Sequence, residues 1–311
     1  MGSCVDDYRL ERLVARTQTA SVFLATEMGT GLAAALKIPH LEAESDVVFY
    51  ERFQREAAIG RQLEHPSVAK VLAQPDPSQI YIAMEWIGGP TLRSILEEHG
   101  KLSPQRAIAI AINLCEALDY IHGQGVVHRD LKPENIFVGD DDSVKLVDFG
   151  IAGRKGARRL TFGQLSTVMG TPDYIAPERI KGQRGGEQSD IFALGIILFE
   201  MLTGEVPLSG SSPMVIMNNR LMDDSLVLAE ADSTMEPAVR LIISKATARE
   251  PKNRYKTASD MANDLEHPEL IQESPQEGVQ DSFRSRLMIC SGLACIPTFV
   301  LLLLLYVAHH Q

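Results

Sequence analysis

A chain of 311 residues, 45% hydrophobic and 23% charged, is long enough for one large domain or two modest ones and has an ordinary globular composition. Its net charge of -11 argues against a general nucleic-acid binder, whose surface must be basic. Cys4, Cys115, Cys290 and Cys295 form no CxxC pair, which argues against a disulfide framework or a zinc site and fits a reducing compartment. The N-terminus, MGSCVDDYRL, has no apolar stretch to serve as a signal peptide, and Asp6 stands where a myristoylation motif needs Ser or Thr.

Val14–Phe23 (VARTQTASVF) and Ala33–Pro39 (AAALKIP) are apolar, partly alternating runs that predict a strand pair. ERFQREAAIGRQL, 51–63, predicts a helix with Phe53, Ala57 and Leu63 among its apolar positions, ended by His65-Pro66. IYIAMEWI, 80–87, has the enrichment of a strand, and Gly88-Gly89-Pro90 breaks it. Helices dominate from 91 onward. Ser103 is placed as an N-cap and Pro104 at the first helical position. Ile108, Ala111, Leu114, Cys115, Leu118 and Ile121 then recur at helical spacing until Gly123. IFALGIILFEMLTG, 191–204, predicts a core helix stopped by Gly204, too short to span a bilayer.

The C-terminal part differs. Residues 268–286 are polar with two prolines and read as a linker. Leu287 to Ala308 carries no charge and, at roughly 1.5 Å per residue, spans about 33 Å, enough for a hydrocarbon core of about 30 Å. The alternative is a buried helix of the soluble part. Arg284 and Arg286 just before it place the preceding residues in the cytoplasm. Ser291, Gly292, Ala294 and Cys295 form a small-residue cluster through which two copies would pair as a homodimer.

Three stretches carry the chemistry: VVHRDLKPENIFV at 126–138, VKLVDFG at 144–150 and GTPDYIAPE at 170–178. In this order and spacing they resemble the catalytic loop, metal-binding loop and substrate-positioning segment of eukaryotic-type (Hanks-type) serine/threonine protein kinases. The ending RYKTASDMANDL, 254–265, resembles the bacterial membrane-attached kinases of that type, although here the chain stops three residues after the apolar segment. The resemblance implies an α+β, bilobal protein kinase-like fold over 8–267. Its small β-rich N-lobe would run from about 8 to 86, with one key helix, and a large helical C-lobe from 87 to 267. A single C-terminal transmembrane helix over 287–308 follows.

The resemblance also implies a set of site residues, with ATP and Mg²⁺ as cofactors and proteins as substrates. Asp130 would orient the acceptor hydroxyl and take its proton, and Lys132 would contact the γ-phosphate. Asn135 and Asp148 would give Mg²⁺ hard oxygen ligands. Lys37 would neutralise the α- and β-phosphates, held by an ion pair from Glu56, 19 residues later. Val14, Val22 and Ala35 from above, Phe137 from below and Met84 at the back would enclose the adenine, with backbone hydrogen bonds from Glu85 and Ile87. Thr171 would sit beside Asp130 and Lys132 and favour a small hydroxyl substrate. Glu178 would pair with Arg254, and Asp190 would anchor the catalytic-loop backbone. Thr167, then Ser166 and Thr161, are the candidate phosphosites, with Arg129 to receive the phosphate.

One stretch departs from the pattern. Where kinases show G-x-G-x-x-G-x-V, this chain has Ala15, Thr17 and Ala20 before Val22. Alanine and threonine keep the backbone N–H donors of the phosphate cover but lose glycine's freedom, at a strain of about 1 kcal/mol per misplaced residue. The expectation is a working kinase with a weakened nucleotide cover and a raised KM for ATP. The alternatives are a membrane-tethered pseudokinase and a small-molecule kinase. GTPDYIAPE, suited to laying down a peptide, opposes the second. Gly60, one turn past Glu56, is expected to loosen the seating of its helix.

Overall fold

The computed structural model describes residues 3–17, 19–40, 47–72, 77–149, 153–154, 172–207, 214–216, 221 and 235–271. All features below belong to one compact unit, Met1–Leu270. The segment 287–308 and residues Thr161, Ser166, Thr167 and Thr171 lie outside the described residues. Among the described residues no helix is long and apolar enough to cross a membrane.

The N-terminal lobe is a five-stranded antiparallel sheet in the order β1 (Cys4–Val5), β2 (Tyr8–Arg16), β3 (Ala20–Glu27), β4 (Ala33–Pro39) and β5 (Ile82–Glu85). Strand alternation sorts its faces. Ala34 and Leu36 of β4 join Tyr8, Ala25, Tyr81 and Ala83 in one core cluster. Ala35 and Lys37 therefore face the other side. The register pairs Val22 with Lys37, Leu24 with Ala35, and Met84 with Ala35, so these side chains share that second face.

Helix α1 (Val47–Gly60) packs there through Phe53 and Ala57 against Ile82. It starts and stops earlier than the 51–63 expected. A turn takes over after Gly60, with Leu63 N donating to Gly60 O at 3.3 Å. Strand β5 is likewise shorter than the 80–87 run.

The glycine-free hairpin between β2 and β3 closes without strain at its described residues. Ala15, Thr17, Thr19 and Ala20 all avoid positive φ, which among described non-glycine residues occurs at Asp6, Arg129, Asp142 and Asp148. The expected strain is thus absent there. Register shifts between Leu10 and Arg12 and between Leu13 and Ala15 absorb the bend instead.

The helical lobe is built on α2 (Leu92–His99), α3 (Pro104–Gly123), α4 (Pro177–Ile180), α5 (Glu187–Thr203), α6 (Pro237–Ala246) and α7 (Ala258–Glu266). Ser103 caps α3 by accepting from Arg106 N, with Pro104 at the first turn. Leu114, Leu118 and Ile121 of α3 and Ile191, Phe192 and Leu194 of α5 are fully buried. Gly204 stops α5 as expected, in the left-handed region at φ 82°, its N–H returning to Glu200 O at 2.8 Å. Helix α3 runs through Gly123 and is capped by Gln124, and the positive φ falls later, at Gly125.

Short strand pairs sit where the lobes meet: β6 (Val126–Val127) with β9 (Gly153–Arg154), and β7 (Ile136–Val138) with β8 (Val144–Leu146). The catalytic-loop sequence runs from β6 to β7, and the DFG stretch follows β8.

A buried ion pair braces this lobe. Arg254 grips Glu178 through two hydrogen bonds of 2.8 and 2.7 Å, and Ser189 Oγ donates to the same carboxylate at 2.6 Å. Burial pushes the Glu178 carboxyl up, but Arg254 and Ser189 outweigh it and hold it below its ordinary value. A carboxylate held low stabilises the fold above its unfolded pKa, and the contribution is lost as pH falls through the lower folded pKa. Arg254→Met is expected to reduce unfolding free energy by about 3–5 kcal/mol at neutral pH, measured by urea unfolding. The deficit should shrink only as pH falls through the lowered folded pKa of Glu178, below which both proteins carry it protonated.

Candidate active site

Lys37, midway along the shared face of β4, reaches two carboxylates. Its Nζ lies 2.7 Å from Glu56 Oε1 on α1 and 3.0 Å from Asp148 Oδ1, which follows β8. Burial works against the Lys37 ammonium, yet the charges of Glu56 and Asp148 hold it above the ordinary lysine value. Burial pushes the Glu56 carboxyl up, to about 7, against the pull of Lys37. Asp148 itself adopts φ 67°, a left-handed backbone that costs a non-glycine residue about 1–3 kcal/mol.

The catalytic-loop residues converge below. Lys132 Nζ donates to Asp130 Oδ2 at 2.9 Å. Asn135 Nδ2 donates to the Asp130 carbonyl at 2.8 Å and to Asp130 Oδ2 at 3.3 Å. His128 supports the loop from inside. The Asp130 N–H points at its Nδ1 (3.3 Å) and its Nε2 faces Val147 O (3.3 Å), which assigns the ring proton to Nε2. Its ring packs on Phe149 at 5.1 Å. A cleft lined by Asp130, Lys132, Ile175, Ala176 and Arg179 opens beside the Asp130 carboxylate.

The loop is pinned by Asp190, which is 1% exposed. Its Oδ2 accepts from His128 N at 2.8 Å and lies 2.9 Å from His122 Nε2, and its Oδ1 accepts from Arg129 N at 2.7 Å. Burial pushes this carboxyl up, but the hydrogen bond and charge of His122, with His128 and the Arg129 amide, hold it below its ordinary value. These bonds fix Arg129 at φ 66°, and Arg179 Nη1 donates to the Arg129 carbonyl. Burial and the neighbouring Arg184, Arg179 and Arg55 pull the Arg129 guanidinium down to about 10, against the attraction of Asp190. The residues expected to carry a phosphate to Arg129 are not among those described.

Of the remaining candidates, Val22, Ala35 and Met84 share the Lys37 face, and Phe137 lies half-buried on β7. Val14 sits in the second bulge of β2 and is 42% exposed. Glu85 donates its amide to Lys70 O at 2.9 Å, and its side chain accepts from Lys145 Nζ at 2.6 Å. Ile87 follows β5, half-buried. Sequence reading missed a second, partly buried network. Arg93 of α2 donates to Glu134 Oε1 (3.1 Å), Glu200 Oε1 (2.8 Å) and Tyr174 Oη (2.6 Å), and Tyr174 donates to Glu200 Oε2 (2.5 Å). It ties α2, the catalytic loop, the GTPDY stretch and α5 together. The signal that points to it is Glu200, the one acid within the apolar run 191–204.

Metal fit follows from the donors. Among the described residues no cluster of three or more His, Cys, Asp or Glu side chains forms a cage. Asn135 donates through Nδ2, which leaves its Oδ1 as an acceptor, and Val147 N, one residue before Asp148, donates to the Asn135 carbonyl at 3.0 Å. Two hard oxygen donors suit an ion that takes its other ligands from phosphates and water, as Mg²⁺ does.

Residues 8–268 match the family described as protein kinase domain. The chain belongs to that family. It is 34% identical over 265 residues to the serine/threonine-protein kinase PknB of Mycolicibacterium smegmatis, an alignment covering 84% of this chain and 42% of the relative. To the PknB of Mycobacterium tuberculosis H37Rv it is 34% identical over 268 residues, with the same coverage. To a probable serine/threonine-protein kinase of Corynebacterium efficiens it is 36% identical over 270 residues, covering 84% and 41%. The chain thus spans about two-fifths of the length of these curated relatives.

Within this kinase-family site, Gly60 has a packing reason. A Cβ at Gly60 would lie 2.3 Å from Val71 Cγ2. Val71, bridged to Met84, fills the space that a side chain on α1 would otherwise occupy. The glycine therefore permits close seating of α1 rather than loosening it. Gly60→Leu is expected to destabilise the protein by about 1–3 kcal/mol through overpacking. Thermal unfolding should show Val71→Ala restoring at least half of the loss in the double variant.

Proposed function

We propose that the chain transfers the γ-phosphate of ATP to serine or threonine hydroxyls of proteins, including residues of its own activation segment. The observation that carries this reading is the Lys37 ammonium held between Glu56 and Asp148, with Asp148 also acting by its charge on Lys132 of the Asp130–Lys132–Asn135 group. Lys37 neutralises the α- and β-phosphates, and Glu56 keeps it aimed. Asp130 orients the acceptor hydroxyl and takes its proton at the carboxylate. Lys132 sits 2.9 Å from Asp130 and offsets the charge of the γ-phosphoryl group in flight. Asn135 and Asp148 hold Mg²⁺, which when bound supplies charge neutralisation across the phosphates. Val14, Val22, Ala35, Met84, Glu85, Ile87 and Phe137 receive the adenine, and Thr171 favours a small hydroxyl. Arg129 receives phosphate from Thr167, Ser166 or Thr161. The relatives are named as kinases, and nothing in them supports the pseudokinase alternative.

The same reading places residues 8–267 in the cytoplasm, 268–286 as a linker and 287–308 as a single membrane-spanning helix through which two copies pair. It rests on the 22 uncharged residues and the arginines that precede them.

Incubation of the full chain with radiolabelled ATP and Mg²⁺ tests the activity. Label on serine and threonine is expected, and Asp148→Asn should abolish it. The loss of one preorganised charge contact alone costs about 10²–10³ in rate. An unmutated protein that labels no better than Asp148→Asn contradicts the proposal.

A further inference from the structure

The hairpin that lacks glycine is closed by a side chain. Thr17 Oγ1 accepts from Ala20 N at 3.1 Å and from Thr19 N at 3.4 Å, and donates to Ala20 O at 3.0 Å. Thr17 N also donates to Ala20 O, at 2.9 Å. A hydroxyl has one proton and two lone pairs, so all of its capacity is engaged within the turn.

The register fixes where this happens. Val22 stands opposite Ala15 on one side and Lys37 on the other, while Ala20 stands opposite Pro39. The tip therefore lies two strand residues, about 7 Å, beyond the lysine that meets the phosphates in the reading above. Backbone amides converging on one oxygen are how a loop binds a phosphate oxygen. Here the oxygen they converge on is the threonine's own.

We infer that the Thr17 hydroxyl is an internal stand-in for phosphate, so that Thr17 sets the affinity of the site for nucleotide phosphates. The inference rests on the kinase reading and deepens it. A nucleotide must displace the hydroxyl from the Thr19 and Ala20 amides. It succeeds because hydrogen bonds to a charged phosphate are about twice as strong as those to a neutral hydroxyl. The displacement still costs affinity, and the cost falls on the phosphates, since the adenine residues Val14 of β2 and Val22 of β3 lie outside the Thr17–Ala20 turn and the others lie on β4, on and just after β5, and on β7.

The test uses the full chain and its Thr17→Val and Thr17→Ser variants. Valine keeps the branched shape and removes the hydroxyl, while serine keeps the hydroxyl. Dissociation constants for ATP, ADP and adenosine are measured with Mg²⁺ by fluorescence competition, alongside KM for ATP. Thr17→Val is expected to tighten ATP and ADP about five-fold, the scale of one or two neutral hydrogen bonds, and to move adenosine less than about two-fold. Thr17→Ser should stay nearer the unsubstituted protein than Thr17→Val does. Unchanged or weakened ATP binding in Thr17→Val overturns the inference, because the hydroxyl then only staples the turn. Equal tightening of ATP and adenosine also overturns it. An unsubstituted protein that binds no ATP overturns the kinase reading, and the inference with it, which separates the two failures.

Discussion

A lysine buried to 15% side-chain exposure cannot stay charged without partners, and the architecture follows from where those partners come from. Glu56 arrives on α1, from the sheet lobe. Asp148 arrives after β8, from the other side of the cleft. One cation thus joins elements that lie 111 residues apart in sequence. The seating of α1 then matters to the chemistry, because α1 carries Glu56 and ends where Gly60 meets Val71. The backbone at Asp148 matters for the same reason, since its positive φ aims the carboxylate at the lysine.

The helical lobe solves the complementary problem of holding a polar loop rigid against an apolar core. Its solution is to bury carboxylates and satisfy each of them. Asp190 takes two loop amides and His122, Glu178 takes Arg254 and Ser189, and Glu200 takes Arg93 and Tyr174. All three acids lie on or beside α5, the most buried of the described helices, so the loop is referenced to the most buried part of the lobe. The strained φ at Arg129 persists because Asp190 and Arg179 grip the peptide groups on either side of it. Asp130, next in sequence, inherits that fixed position.

Much of this was legible in the sequence because motif residues have fixed neighbours. The 19-residue spacing from Lys37 to Glu56, the anchoring role of Asp190 and the Glu178–Arg254 brace all match the observed geometry. The Ser103 cap and the Gly204 stop are local signals, and both hold. What escaped reading depends on distance or on packing. Arg93 meets partners 41, 81 and 107 residues away, and nothing periodic in α2 marks it. The role of Gly60 is set by a valine on the far side of a turn. The two-residue β1 is too short for any pattern. The Thr17 turn escaped because the loop was judged by the glycines it lacks, whereas a hydroxyl offered another way to close it.

The central claim is that Lys37 and Glu56 act as one unit rather than as two separate contributors. A double-mutant cycle of Lys37→Met and Glu56→Gln on kcat/KM for ATP measures this most directly. If the pair works together, the double variant is about as impaired as Lys37→Met alone, because Glu56 has nothing left to hold. Losses that simply add, with the double variant worse than either single by the full product, would contradict the account.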